Sequence, residues 1–135
     1  MPRLIVFIVA VFAAVMSAAR GQLAVQVHSD KDTFLVYEPI PVVVSIRNYS
    51  GRTIQLEDRG ERPWLGFVVS DEGSSLVHAI GDPPAGESVL IPPGQTVSHT
   101  VDLLPLYELR ARGSYRVQAL VTGTGEAAIS APLRV

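Results

Sequence analysis

Three histidines are the first residues in this sequence that could bind a metal ion. They are His28, His78 and His99, and 20 or more residues separate each from the next. A zinc site needs three or four converging ligands, for which spacings such as His-x-His or His-Glu-x-x-His are typical. Neither spacing occurs here. His99 alternates with Val97 and Val101, so we expect a hydrogen-bonded core histidine and predict no metal site.

Two short acidic segments could instead offer carboxylates to calcium. In Asp30-Lys31-Asp32, two carboxylates can lie on one side of a loop, and Asp71-Glu72-Gly73 has a similar composition. Both segments also have the composition of solvated turns, in which an Asp side chain bonds to the nearby backbone. We interpret the first as a turn and the second as a hairpin between strands.

Residue types for catalysis are present, but not in catalytic patterns. Cysteine is absent, and no Gly-x-Ser-x-Gly sequence surrounds any serine. A glycosidase needs two carboxylates across a cleft, and no pattern makes any two of these glutamates converge: Glu38, Glu57, Glu61 and Glu108. The glycines at 123 and 125 lie between two predicted strands rather than before a phosphate-binding helix. We therefore predict a protein that is not an enzyme and has no cofactor.

Two loops have the composition of binding sites. The single tryptophan, Trp64, follows a polar loop at 58–63, and a second loop at 81–87 is rich in glycine and proline. Trp and Arg are common at binding hot spots, although a lone Trp in a β-sandwich is more often a core anchor, the interpretation we favour. The candidate binding residues are Arg59, Arg62, Trp64, Asp82 and Glu87. We expect Tyr107 to tether its connector to the sandwich.

One formal modification site occurs in the chain. Asn48-Tyr49-Ser50 matches the acceptor sequence for N-glycosylation, which has meaning only in a eukaryotic host. The segment lies at a predicted turn, where asparagine and serine also occur without any sugar.

The N-terminus has the order of a cleaved export signal. A basic start with Arg3 precedes the apolar run Leu4–Met16 and then small residues up to Gly21. Cleavage before Arg20 and before Gln22 both fit the small-residue rule, and we favour Gln22. The alternative is a membrane anchor, but the apolar stretch from Leu4 to Ala19, counting Ser17, is 16 residues long, shorter than the roughly 20 residues that a spanning helix needs. We expect a helical signal peptide at 1–21 and an exported protein that is periplasmic, cell-surface or extracellular.

The remaining residues, 22–135, are enough for one domain. Without Arg3 and Arg20, the mature chain has nine basic and 13 acidic side chains, a net charge of −4 with histidine neutral. This charge disfavours nucleic acids and anionic membranes as partners, and no second apolar run is long enough to span a membrane. An exported domain without cysteine also differs from small disulfide-stapled toxins and growth factors.

Alternation with a period of two dominates the mature chain, and turn signals recur every 8–12 residues. This pattern predicts an all-β fold, an immunoglobulin-like antiparallel β-sandwich of about seven to nine strands. The strands are expected near residues 23–28, 42–46, 54–56, 64–70, 76–80, 89–91, 96–104, 114–122 and 127–135. Residues 33–37 are also β-prone, and one helical turn is expected at 106–109.

Three stretches carry a resemblance to known proteins: Tyr37–Gly51, Ile91–Val97, and Asp102–Leu109 continuing into Gly113–Val117. The chain resembles immunoglobulin-like bacterial extracytoplasmic domains. It is especially similar to the β-sandwich that precedes the catalytic domain of deuterolysin-type (lysine-specific) metallopeptidases, and more weakly to the intracellular proteinase inhibitor family. The zinc helix of the metallopeptidases, His-Glu-x-x-His, is missing. The resemblance therefore implies a fold and no catalytic activity.

The function predicted from the sequence is a secreted, non-catalytic module. It would bind an unidentified protein or glycan, or space other domains, at the cell envelope. The alternative is a peptidase inhibitor that inserts a loop within 81–95, or an accessory or chaperone-like domain of an extracellular peptidase.

Overall fold

The computed structural model describes residues 22–81, 88–109, 112–123 and 126–135. The predicted signal at 1–21 lies outside these residues. The described residues form nine strands: β1 (Leu23–His28), β2 (Pro41–Asn48), β3 (Ile54–Leu56), β4 (Leu65–Ser70), β5 (Val89–Ile91), β6 (Thr96–Asp102), β7 (Arg116–Gly123), β8 (Glu126–Ile129) and β9 (Leu133–Arg134). They contain no helix, and so no helix that could cross a membrane. The predicted all-β fold is confirmed.

The strands form two antiparallel sheets and a short ribbon. The first sheet has the order β1-β2-β6, with Val44 of β2 opposite both Val27 and His99. In the second sheet β4 and β8 flank β7, and β9 pairs with the beginning of β7. The ribbon consists of β3 and β5. The arrangement is sandwich-like, as the spacing of turn signals predicted.

The core follows directly from the alternation in the two central strands. In β2, Val42, Val44 and Ile46 are fully buried, while the residues between them are more exposed. β7 shows the same pattern, with Val117 and Val121 both fully buried. Successive side chains of a strand point to opposite faces, so each central strand buries one face. Each fully buried Val or Ile stabilises the fold by about 1.5–3 kcal/mol.

Two predicted strands near the start and middle of the chain are turns or loops. Residues 33–37 end in a turn at which Tyr37 has a φ of 67°, a value that no strand residue adopts. Residues 76–80 make only single bridges, Leu76 to Ser70 and Ala79 to Tyr107. Leu76 is 76% exposed, so burial does not stabilise strand formation there. The expected helical turn at 106–109 is instead a non-helical turn at 104–106.

The predicted last strand is divided into β8 and β9. Pro132 has no N–H to donate to a neighbouring strand, and the pairing with β7 stops before it. Ser130, which is 2% exposed, bridges the gap because its hydroxyl accepts the Ala119 N–H at 2.9 Å.

Candidate functional site

Three connecting segments meet at one end of the sandwich, which we call the loop end. They are residues 29–40 between β1 and β2, residues 71–80 after β4, and residues 103–109 and 112–115 between β6 and β7. Backbone hydrogen bonds join them: Leu103 N–H donates to Ile40 at 3.0 Å, and Glu108 N–H donates to His78 at 3.1 Å. The loop end is therefore a single surface held together by the sheets beneath it.

Two depressions lie side by side in this surface. The larger has a volume of about 720 Å³ and lies between residues 71–78 on one side and Glu108 with residues 112–115 on the other. The smaller has a volume of about 270 Å³ and lies between residues 32–40 on one side and Leu109 with residues 112–115 on the other, beside Val135. Residues 112–115 line both depressions, so they form the ridge that separates them.

Large apolar side chains stand out from the rims of both depressions. Leu76 lines the larger depression and is 76% exposed, and Leu35 lines the smaller one and is 77% exposed. Val36 and Tyr37, which follow Leu35, are also exposed. Contiguous exposed apolar surface with polar neighbours is characteristic of interaction sites.

The turn that carries Leu35 is held by its own polar residues. The Glu38 N–H donates to the Leu35 carbonyl at 3.0 Å, and Tyr37 adopts a left-handed φ of 67°, which is uncommon for any residue except glycine. The two carboxylate oxygens of Glu38 accept from the Leu35 N–H, at 2.8 Å, and from the Lys31 ammonium group. The Lys31 hydrogen bond, and then the Leu35 hydrogen bond, lower the pKa of Glu38. We call residues 35–38 the braced turn.

The larger depression has polar walls in which some carboxylates have a structural role. Glu72 accepts the Ser114 N–H at 3.0 Å, which joins the two sides of the depression. Asp71 accepts the Ser75 N–H at 3.0 Å and stabilises the predicted turn, but the turn leads into a single bridge at Leu76 rather than into the second strand of a hairpin. In the part of the chain that the structure describes, no three His, Asp or Glu residues lie close enough to hold a metal ion.

The binding residues predicted from the sequence lie elsewhere. Arg59 and Arg62 flank a two-residue turn, where each N–H donates to the other's carbonyl at 2.9 and 3.0 Å and Gly60 has a φ of 59°. Both arginines are exposed, but this turn precedes β4, whereas the loop end follows it. Asp82 and Glu87 lie outside the described residues.

Trp64 is a core residue that is only 4% exposed. Its ring meets the imidazole of His99 edge-on, with 5.1 Å between ring centroids and 70° between planes. The indole N–H is buried and has no hydrogen-bond acceptor among the residues that the structure describes. These contacts support the core interpretation of Trp64 and the expected inward orientation of His99.

Asn48, the formal glycosylation acceptor, is fully buried. Its side-chain amide donates to the carbonyls of Arg52 and Ile91 at 2.7 and 2.8 Å, and its oxygen accepts from the Ser50 N–H at 2.8 Å. A sugar on this nitrogen would replace one of its two hydrogens and so remove at least one of the donated bonds. In the folded protein, Asn48 therefore stabilises the turn that follows β2.

The sequence did not identify Leu35 and Leu76 as surface residues, because each lies in a β-prone run that resembles a core strand. One local signal was available for the first of them. Glu38 lies three residues after Leu35, a spacing at which a carboxylate can accept the N–H of a tight turn.

Comparisons with known proteins identify the fold alone. No protein family model and no curated protein matches the chain. Nine chains of solved structures do match. One, described as the X-ray structure of Northeast Structural Genomics Consortium target SoR45, has a TM-score of 0.55 and 17% sequence identity over 84% of this chain and 85% of that chain. This similarity supports the all-β fold, and the likeness to peptidase-associated domains stays a sequence-based prediction.

Proposed function

We propose that this protein is an exported, non-catalytic module that binds a protein partner through its loop end. The observation that carries the proposal is the position of Leu35 and Leu76, each more than three-quarters exposed, on the rims of two neighbouring depressions. Such side chains contact water in the free protein and would lose that contact in a complex.

The energetics favour a protein partner. Complete burial of one leucine side chain contributes about 1.5–3 kcal/mol, so Leu35 and Leu76 together could dominate a modest interface. The braced turn already holds Leu35 in place, which reduces the conformational entropy lost on binding. Polar groups such as Glu72 and Arg112 line the larger depression beside Leu76, so the surface offers both apolar contacts and hydrogen-bonding groups to a partner.

The same chemistry disfavours a glycan as the ligand of this surface. Sugar hydroxyls need hydrogen-bond partners when they leave water, and aliphatic side chains supply none. The protruding groups of Leu35, Val36 and Leu76 would therefore desolvate a sugar without compensation.

Site-specific photo-cross-linking tests this proposal. A cross-linking amino acid would replace Leu35, Leu76 or, as a control, Leu90, which is 61% exposed on β5. In the native envelope we expect the same protein adduct from positions 35 and 76 and not from position 90. Excess unlabelled protein should compete for the adduct, and a Leu35→Asp/Leu76→Asp variant should fail to compete. Equal labelling from position 90, or peptide or glycan hydrolysis at enzyme-like rates, would contradict the proposal.

Export rests on the order of residues in the segment 1–21. N-terminal sequencing of the protein that accumulates in the envelope or medium tests it. We expect Gln22 to be the first residue. An intact Met1 on the accumulated protein would contradict export by cleavage.

A peptidase inhibitor is the second candidate, and the braced turn favours it. The turn exposes Leu35, Val36 and Tyr37 in succession and is held by the hydrogen bond from the Leu35 N–H to Glu38. The sequence placed the inhibitory loop within 81–95, but Pro92–Gln95 lies beside Asn48, at the end of β2 away from the loop end. An inhibition assay against peptidases with apolar specificity pockets decides this candidate. Inhibition should weaken at least tenfold in Leu35→Asp, and a lack of inhibition by the wild-type protein counts against it.

A further inference from the structure

Strand β6 is a sheet edge without the usual protection against pairing. It pairs with β2 on one side, and among the described residues no strand pairs with its other side. Natural edge strands are commonly guarded by Lys, Pro or a bulge, or by a covering segment. Thr96–Asp102 contains no Lys, Arg or Pro, and its pairing with β2 runs without a bulge.

The other long edges of the described sheets are protected. The edge of β4 is partly covered, because the Val77 N–H donates to the Val69 carbonyl at 2.8 Å. The edge made by β8 and β9 is interrupted at Pro132 and carries Arg134. β1, at the opposite edge of the first sheet, packs beside β7 and β8. Of the long sheet edges that the structure describes, β6 is therefore the one open to strand addition.

The inward side chains of β6 are less buried than those of its paired strand, β2. The inward residues of β2, including Val44, are completely buried. Their partners across the ladder, Val97, His99 and Val101, are only partly buried although they face the same way. A strand added beside β6 would bury these side chains further.

We propose that a second copy of this chain continues the sheet by antiparallel pairing of β6 with β6. The two-fold axis would pass through the centre of the strand, at His99, so that all seven residues pair. Ser98 of one copy then lies opposite Thr100 of the other, and Val97 opposite Val101. The resulting sheet has six strands.

The strand is complementary to itself in this register. Hydroxyl side chains face hydroxyl side chains on the outer surface, and valines face valines on the inner surface, both favourable cross-strand pairs. The one formally charged residue of the strand, Asp102, lies opposite Thr96, so no like charges meet. The pairing also satisfies the outward N–H and C=O groups of the edge. It uses a surface other than the loop end, so each proposal can fail without the other.

Sedimentation equilibrium of the protein, expressed as the full chain and purified in the form its host accumulates, tests this proposal. We expect a reversible dimer at concentrations from 1 to about 200 µM, a range that brackets modest interfaces. Ser98→Lys should raise the dissociation constant at least tenfold, because it brings two ammonium groups to the paired edge. The matched control is Gln26→Lys, in the same cross-strand row but on β1, and it should leave the dimer intact. Circular dichroism verifies that both variants fold.

Disulfide trapping tests the register separately. The chain contains no cysteine, so Ser98→Cys and Thr100→Cys each add a single thiol. Directly opposite positions have Cβ atoms about 4.5–5.5 Å apart, close to disulfide geometry. An equimolar mixture of the two variants should therefore cross-link at least five times faster than either alone. A monomer at every concentration, a dimer that Gln26→Lys disrupts and Ser98→Lys does not, or equal rates for mixed and single variants would overturn the proposal.

Discussion

The hydroxyl of Tyr107 donates a 3.0 Å hydrogen bond to the main-chain carbonyl of Phe67, forty residues earlier in the chain. Phe67 lies in the middle of β4, whereas Tyr107 belongs to the connector between β6 and β7. This bond fixes the connector to the second sheet, and the same connector continues into the ridge at 112–115 between the two depressions. The tether predicted for Tyr107 from the sequence is confirmed.

Replacement of Tyr107 by phenylalanine should weaken the fold while keeping the ring. We expect Tyr107→Phe to lower the free energy of unfolding by about 1 kcal/mol, since a partly buried carbonyl loses its donor. Urea unfolding measures the change. Tyr49→Phe is the control, because Tyr49 is 61% exposed and its hydroxyl is available to water. An equal loss in both variants would contradict a specific role of the tether.

Stability should fall at alkaline pH because of the same tyrosine. Burial raises the pKa of Tyr107 above its ordinary value of 10.0. The unfolded chain then loses this proton at a lower pH than the folded chain, so its stabilising contribution is complete below about pH 10 and declines as pH rises further. The free energy of unfolding, measured between pH 8 and 11, should decline less steeply in Tyr107→Phe. An identical slope in both proteins would contradict this assignment.

The braced turn should lose order when Glu38 loses its charge. Lys31 and the Leu35 N–H lower the pKa of Glu38 below its ordinary value of 4.5, so the brace is complete above that pH and is lost as pH falls below it. In Glu38→Gln we expect faster hydrogen exchange of the Leu35 amide, with little change in global stability. Glu57→Gln, another exposed carboxylate, is the control, and unchanged exchange at Leu35 in Glu38→Gln would argue against the brace.

Asn48 should be among the most sensitive polar positions in the protein. Asn48→Ala removes the donors of two main-chain carbonyls and the acceptor of Ser50, so we expect a loss of about 2–4 kcal/mol in urea unfolding. Ser50→Ala, at the edge of the same network, should cost about 0.5–1.5 kcal/mol. If the two variants were equally stable, the buried amide would not be the centre of the network.

Replacement by alanine should affect stability differently at two glycines. A Cβ on Gly81 would lie 2.5 Å from the Pro105 carbonyl oxygen, whereas a Cβ on Gly51 would have no heavy atom within 4 Å. We expect Gly81→Ala to destabilise the protein by about 1–3 kcal/mol through the forced backbone shift. Gly51→Ala should leave stability unchanged or slightly increased. Thermal unfolding of the pair tests whether residue 81 packs closely on the connector.

Local patterns in the sequence predicted the strands whose burial is periodic. β2 and β7 were predicted because alternate residues are apolar, and this alternation arises because one face of each strand is buried. The same rule failed at Leu35 and Leu76, which lie in equally β-prone runs. A local pattern indicates that a residue tends to be buried, but it does not show whether another segment of the folded chain packs against that residue.

The sequence by itself determined the all-β class and most strand positions, because both depend on composition and on a period of two. The tertiary structure alone decided which loops share one end of the sandwich and which strand is left at an open edge. Those properties depend on how strands far apart in the chain pair. Val44 lies between Val27 and His99, and no local feature of the sequence records that pairing.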